Sequence, residues 1–517
     1  MKSKKVILIY PSYDPDNPYP DFNTDKMKKQ PLGVLALGSY IKSVGYDVKF
    51  YEGREHYKED LRKAIIEEAK NALCVGFSVM TSQIKHAYLL SKELKELYPD
   101  LNIVWGSIHP TLYPEQTIEP DYIDYVIIGE AEHRFEQLLK YFGDEKVNIN
   151  SIENLVWKNK NGAIVKNPVG PPVDVNKLPD PDYSLLNMDT FLKGPFWNYL
   201  DYKIERLFDL LTSRGCPYNC RFCATTLPAF KKWRPISAER VNNLIDIAVN
   251  KYKATHIQMN DDFFFGDKDR VYAIIEHIKK RKYKITWEAL ATVPLFKSYF
   301  TDDLLRQYKE SGGIVIGMGV ESGSDRILKH INKPQTVEEV MHAIRRCKEF
   351  DIIPKVSFIT GIPGETHEEA VMTVKLIARI FEENPRTSFF VPGLFRPYPG
   401  ADLYKECIKM GFKEPKTLED WCNYELHDNY FVKPEDLPWV EHPEFHINVP
   451  FVAFNYVYYK FNKDRIKLPI SRKIAGKISE LRMEKDWWKF PYEYKFTLWK
   501  KGLEKNPFLK KMIQKFT

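Results

Sequence analysis

The chain has 517 residues, 44% of them hydrophobic and 14% aromatic, enough for about three domains with large cores, so wholesale disorder is excluded. Its formal charge of +7 is uneven: residues 451–517 hold 17 Lys and Arg against 6 Asp and Glu, net +11, which leaves net −4 for residues 1–450. A mildly acidic body with a basic tail marks one surface and does not by itself point to nucleic acid.

The opening stretch "MKSKKVILIYPSYD" reads as a first β-strand and not as a signal peptide. No run approaches about 18 apolar residues, so no membrane span is expected. Seven cysteines, an odd number and mostly scattered, form no disulfide framework, and a reduced, cytoplasmic chain is expected. Through residue 145 short apolar runs alternate with amphipathic stretches. Strands are predicted at 6–12, 47–52, 72–79, 102–108 and 125–129, with helical patterns such as "LGVLALGSYIKSVG" and "QIKHAYLLSKELKELY" between them. Alternating βα units of this length imply a flavodoxin-like, doubly wound parallel sheet of five strands.

Residues 146–205 interrupt the pattern. "LVWKNKNGAIV" reads as a hairpin turning at Asn161-Gly162, and "NPVGPPVDVNKLPDPDYSLL" as a proline-rich linker packed along the surface. The alternation then resumes, with strands predicted at 206–213, 254–261, 285–292, 313–320, 355–361 and 387–395. Six consecutive βα units suggest a partial barrel, whose chemistry belongs in the loops after the strand C-termini. The unusual residues fall there: cysteines after the first strand, "NDDFFFGD" after the second, "ESGS" after the fourth, "GIPGE" after the fifth and "RPYPG" after the sixth.

The cysteines, Cys216, Cys220 and Cys223, stand in "SRGCPYNCRFC". Zinc would need four ligands, usually in two separated pairs, and no Cys or His follows within the next thirty residues. A redox C-x-x-C pair would leave Cys216 unexplained. A cubane [4Fe–4S] cluster usually takes four thiolates, so three leave one iron open to a small ligand. At the end of the first strand of a six-unit barrel the cubane reading is the strongest. The other cysteines, Cys74, Cys347, Cys407 and Cys422, read as core or scattered residues and not as a second cluster.

"CPYNCRFC" resembles the cluster motif of the radical S-adenosylmethionine (SAM) enzymes. The resemblance implies that the open iron is chelated by the methionine part of SAM, and that an electron from the cluster gives a 5′-deoxyadenosyl radical. It further implies SAM contacts at Phe222, at Asp261 and Asp262 in "MNDDFFF", at Glu321 and Ser322 in "GVESGS", and at Ile359 and Gly361 in "SFITGIPGET". With Cys74 alone in the first domain, the chain departs from the methylthiolating members, whose N-terminal domain carries three cysteines of its own.

In the first domain "PLGVLALGSYIKSVGYDV", "GFSVMTSQ", "GSIHPTLYPE" and "DYVIIGEAE" together resemble the cobalamin-binding domain fused to one large radical SAM class. That resemblance places cobalamin near Ser78, Thr81, Gly106, His109 and Gly129. The D-x-H-x-x-G motif that supplies a cobalt-ligating histidine is missing: its loop reads "YEGREHYKED", where His56 has the wrong spacing. His109 is expected to be structural or to contact the corrin.

The resulting expectation is an α/β chain with a cobalamin-binding domain at 1–145, a hairpin and linker at 146–205, a (β/α)₆ radical SAM barrel at 206–405 and a small, mostly helical, basic and aromatic-rich C-terminal domain at 406–517. The resemblance implies methylation of an unactivated carbon in a small-molecule or lipid-like substrate. Within the family the alternative resembles the anaerobic Mg-protoporphyrin monomethyl ester cyclase, where no methyl moves. From another class, the alternative is an iron–sulfur scaffold binding nucleic acid, for which no RNA-binding module is visible; no nucleic-acid partner is expected. An external donor of flavodoxin or ferredoxin type is expected to supply electrons. In the tail, Trp488, Tyr492, Phe496 and Trp499 recur at near-helical spacing among Lys485, Lys489, Lys495, Lys500 and Lys501. This reads either as a helix packed on the barrel or as a segment on the inner face of an anionic membrane.

Overall fold

The structure is a computed structural model and describes residues 3–12, 29–53, 59–193, 202–224, 231–390, 392–422, 434–462, 470–488 and 495. His56 and most of the aromatic tail lie outside the described residues.

Five parallel strands build the first sheet: β1 (Lys5–Tyr10), β2 (Asp47–Glu52), β3 (Cys74–Ser78), β4 (Asn102–Gly106) and β5 (Tyr125–Ile127). Their order, β2-β1-β3-β4-β5, is the flavodoxin-like one. Burial on both faces explains the near-continuous apolar runs: Val6, Ile7, Val75, Ile103 and Trp105 are all fully buried. The hairpin β6 (Leu155–Lys158) and β7 (Ile164–Lys166) turns at the expected place, with Gly162 at φ +75°. It pairs antiparallel with β5 and so extends this sheet.

The proline-rich connector departs from its reading as a surface linker. Val175, Tyr183, Leu186, Met188 and Phe191 are buried in the core of the second sheet. Its polar groups are satisfied locally: Asp174 and Asp182 cap short 3₁₀ turns, so the backbone can run over apolar surface.

The second sheet has six parallel strands in chain order: β8 (Leu207–Leu210), β11 (His256–Met259), β12 (Thr286–Ala291), β13 (Gly313–Glu321), β14 (Ile353–Thr360) and β15 (Ser388–Phe389). A short ribbon, β9 (Ser213–Arg214) with β10 (Arg234–Pro235), follows β8, and β16 (Gly393–Leu394) adds to the end of β14. β8 and β15 do not pair, so the barrel is partial. Beyond it, Tyr404, Leu418 and Trp421 return to the core of the first unit, while the helix Pro443–Asn462 packs on the barrel helix His367–Glu383.

Candidate functional site

The loop after β8 is fixed at both ends before it carries any chemistry. Fully buried Asp261 accepts from Thr212 N (2.6 Å), Thr212 Oγ1 (2.5 Å) and Ser213 Oγ (2.7 Å), and Arg270 donates to Thr212 O (2.9 Å). Burial, outweighing these bonds, raises the Asp261 pKa. Gly215, at φ +84°, then turns the chain into Cys216, a conformation glycine adopts without strain. Further on, Arg221 N donates to Ile331 O and Arg221 pairs with Glu406, while Asn332 Nδ2 donates to Asn219 O (2.8 Å).

Held in this way, Cys216, Cys220 and Cys223 line a cavity of about 280 Å³ at the mouth of the barrel, together with Phe222 and Asp262. Its far wall comes from three strands: Leu290 and Thr292 from the end of β12, Gly317, Gly319 and Glu321 from β13, and Lys355 and Ser357 from β14. Burial raises Cys216 and lifts Cys220 to about 11, so a positive centre is required to hold these sulfurs as thiolates. Among the described residues no three Cys, His, Asp or Glu side chains converge on a single ion. Three half-buried thiols around a cavity of this size suit a cluster better than a zinc ion.

Opposite the thiols, Lys333 Nζ donates to Glu321 Oε1 at 3.0 Å and lies 5.9 Å from the Phe222 ring centroid. Both side chains of the pair are about nine-tenths buried. Burial opposes the Lys333 charge, but Glu321 and the cysteines outweigh it and raise its pKa. Glu321 sits at φ +68°, a strained conformation for a non-glycine residue, of the kind stored at functional sites. At Gly319 an added Cβ would strike Glu321 and come within 2.8 Å of Lys333 Nζ, so the glycine keeps the cradle open.

A second cavity, of about 440 Å³, lies between the two units. Ser78, Gly106 and Gly129 line it from the strand ends of the first sheet, Glu130 and Glu132 follow β5, and the barrel contributes Arg214, Gly215 and Ala224. Gly76, Gly106 and Gly129 present bare backbone there, as a broad flat group requires. Among the described residues no histidine lines this cavity. Asp262 lines both cavities, and burial raises its pKa.

The predicted SAM set is therefore divided. Phe222, Asp262 and Glu321 reach the cysteine cavity, whereas Asp261 and Ser322 do not. Each pair sits where the chain leaves its strand, Asp262 in a bend and Glu321 at φ +68°, and that turn sends one residue of the pair to the cavity and the other to the wall. Ser322 is fully buried, with Oγ accepting from Ser324 N at 3.1 Å. Ile359 packs into the same apolar cluster as Phe222. Gly361 donates its N–H to Glu365 (2.5 Å) and accepts from Trp439 Nε1 (2.8 Å).

The cobalamin set is divided likewise: Ser78, Gly106 and Gly129 line the cavity, and Thr81 and His109 do not. His109 is fully buried beside Trp421, its Nδ1 3.3 Å from Thr81 Oγ1, and burial lowers its pKa to about 3. It is a core histidine, and Thr81 is its partner. Sequence reasoning missed Lys333, which has no spacing signal, and Arg214, Glu130 and Glu132; "GEAE" after a strand end was the available sign of the last two.

Residues 210–377 match the model of the Radical SAM superfamily, and residues 23–139 match that of the B12 binding domain. An uncharacterized methyltransferase of Pyrococcus horikoshii is 31% identical over 385 residues, covering 73% of this chain and 78% of that protein. The anaerobic magnesium-protoporphyrin IX monomethyl ester cyclase of Rubrivivax gelatinosus is 26% identical over 413 residues, covering 78% and 70%. Among solved structures, the cobalamin-dependent S-adenosylmethionine radical enzyme OxsB, with aqua-cobalamin and S-adenosylmethionine bound, superposes with a TM-score of 0.62 at 19% identity over 99% of this chain and 70% of that one. The radical S-adenosylmethionine methyltransferase TsrM of Kitasatospora setae gives 0.63 at 15% identity over 90% and 91%. At these identities the superpositions show a shared fold.

Proposed function

The chain belongs to the radical SAM superfamily as an enzyme that carries a B12 binding domain, and we propose that it methylates an unactivated carbon of a small-molecule substrate. Its cofactors are the [4Fe–4S] cluster, SAM and cobalamin. When bound, the cluster and SAM supply the radical and cobalamin the methyl group. The observation that carries the reading is the shared wall: the Ser213–Cys216 turn and Asp262 separate the two cavities by one layer of residues. A substrate at that wall faces both chambers.

In this reading Cys216, Cys220 and Cys223 bind the cluster. Asp262 and Glu321 receive the amino and hydroxyl groups of SAM, with Lys333 holding Glu321 in place and Phe222 covering the cluster. Ser78, Gly106 and Gly129 form the floor under the corrin. Asp261, Ser322, Ile359 and Gly361 support the same loops from behind. The Lys355–Glu288 pair (3.1 Å) in the barrel interior favours a substrate with polar groups.

Anaerobic reconstitution with cobalamin, reductant and SAM tests the reading. Both 5′-deoxyadenosine and S-adenosylhomocysteine are expected, the second only when cobalamin is present. Deoxyadenosine without S-adenosylhomocysteine from cobalamin-loaded protein would replace methylation by the non-methylating cyclase reading, which the similarity to the Rubrivivax enzyme supports.

The lipid-like alternative rests on the tail. Among the described residues no helix is long and apolar enough to cross a membrane. Trp488 packs against the barrel core, which supports the structural reading at that position, whereas Ile474 and Leu481 are exposed on the helix Ile470–Lys485. Sedimentation with anionic but not neutral vesicles, lost in high salt, would favour the membrane surface; no binding at low salt removes the lipid reading.

A further inference from the structure

Two cofactor chambers must serve one substrate, and a charged link runs between them. Arg214 stands two residues before Cys216 and lines the inter-unit cavity. It donates to Glu132 Oε1 at 2.7 Å and to Glu130 Oε1 at 3.2 Å, both just beyond β5. Glu130 is fully engaged: it also accepts from Arg234 at 2.8 and 2.9 Å and from Val173 N at 2.8 Å. The carboxylates of Glu130 and Glu132 are 9% and 4% exposed, so this network lies in a low-dielectric setting where each pairing is strong.

Glu132 is only half used. Its Oε2 is buried with no hydrogen-bond partner, and because the residue itself lines the cavity a small turn of the carboxylate brings that oxygen to a donor there. A buried acceptor left bare costs about 1–3 kcal/mol, so a bound donor there is favoured. The rim of a corrin carries primary amides, and these are N–H donors.

We propose that Glu132 and Arg214 form a positioning relay between the two cofactors. Glu132 Oε2 accepts an amide N–H of the corrin rim, Oε1 holds Arg214, and Arg214 fixes the Gly215–Cys216 turn that presents the cluster. The inference rests on the cobalamin reading of this cavity. Since both cofactors favour one arrangement of Arg214, each strengthens binding of the other, and the effect is reciprocal.

The test titrates hydroxocobalamin anaerobically into the full-length protein, with and without the reconstituted cluster, following corrin absorbance. The wild type should bind on the order of tenfold more tightly when the cluster is present. In Arg214→Met and Glu132→Gln that ratio should fall to about one, with Arg214→Lys between. Iron content and circular dichroism report cluster and fold separately. If Arg214→Met fails to fold, Glu132→Gln, which keeps the volume, carries the same test. A wild-type ratio of one, or a wild-type ratio kept in Glu132→Gln, overturns the relay and leaves the cobalamin reading standing. Absence of hydroxocobalamin binding in both forms overturns that reading and the relay with it.

Discussion

Gly319→Ala probes the wall of the cysteine cavity opposite the thiols without replacing a cysteine or a charge. Its backbone is not among those at positive φ, so alanine brings no conformational strain; the effect comes from space alone. The new Cβ would strike Glu321 and come within 2.8 Å of Lys333 Nζ, the two ends of the 3.0 Å ion pair. Glu321 and Lys333 are 8% and 11% exposed but both line the cavity, so their ends must shift into it and the pair is disturbed. Because only the far ends of two flexible side chains move, the stability cost lies at the low end for overpacking, about 1 kcal/mol. If Glu321 contacts SAM, its displacement also removes a charge-assisted hydrogen bond of about 1.5–3 kcal/mol, roughly tenfold to a hundredfold in affinity. Equilibrium dialysis of SAM against cluster-loaded protein measures the second effect, and urea midpoints measure the first. Iron content should match the wild type. On a Glu321→Gln background the alanine should add little further loss of SAM binding, because the same contact is already weakened. Unchanged SAM affinity in Gly319→Ala would refute the placement of Glu321 on SAM.

Replacing Cys216, Cys220 or Cys223 by Ala should remove the cluster's visible absorption and SAM cleavage together; a variant that still cleaves SAM would sink the cluster assignment. Because no described histidine lines the inter-unit cavity, bound cobalamin should give a base-off cobalt spectrum without imidazole nitrogen coupling, and His109→Gln should leave it unchanged. His109 and His256 are held neutral by burial, at about 3 and about 4, below the unfolded value of about 6.5. The unfolded chain therefore binds more protons below pH 6.5, so the stability they contribute is present above that pH and is lost progressively as the pH falls toward 4. The slope is about 1.4 kcal/mol per pH unit for each group. The urea midpoint should fall less steeply between pH 6 and 4 in His109→Gln, and an identical slope would refute the assignment. Trp421→Ala removes a fully buried ring and its 2.6 Å bond to Gln116 Oε1, and should cost about 3–5 kcal/mol by chemical denaturation.

Much of the architecture was legible because its signals are local. Apolar runs of strand length alternating with amphipathic stretches located all five parallel strands of the first sheet and all six of the second. The Asn161-Gly162 turn and the cysteine spacing also lie within a few residues of what they determine. The connector was misjudged for a related reason. Prolines and aspartates suggest a solvated path, yet Asp174 and Asp182 satisfy neighbouring N–H groups, which frees Tyr183 and Phe191 to enter the core. Composition records the polar atoms and not which way they turn.

The site shows the same limit more sharply. A loop motif names a pair of residues, and the course of the backbone as it leaves the strand decides which of the two reaches the cavity. "ND-D" gave Asp261 to the wall, where it binds Thr212 and Ser213, and Asp262 to both cavities; "E-S" gave Glu321 to the cavity and Ser322 to the wall. The bend at Asp262 and the φ of +68° at Glu321 are set by what the loops pack against, which a single sequence does not print. Lys333 and Arg214 lie beyond even this. Lys333 meets Glu321 only because the chain after β13 folds back over twelve residues, and Arg214 meets Glu132 across eighty-two. Neither pair has a spacing that any helix or strand period would require. Both are nevertheless what buried charge demands: a lysine beside half-buried thiols needs Glu321, and two carboxylates at a strand end need an arginine. Once the fold places Glu130 and Glu132 beside the cavity between the two units, cations must come from across it. Arg234 and the cysteine loop's Arg214 supply them, and the second fixes that loop against the inter-unit cavity.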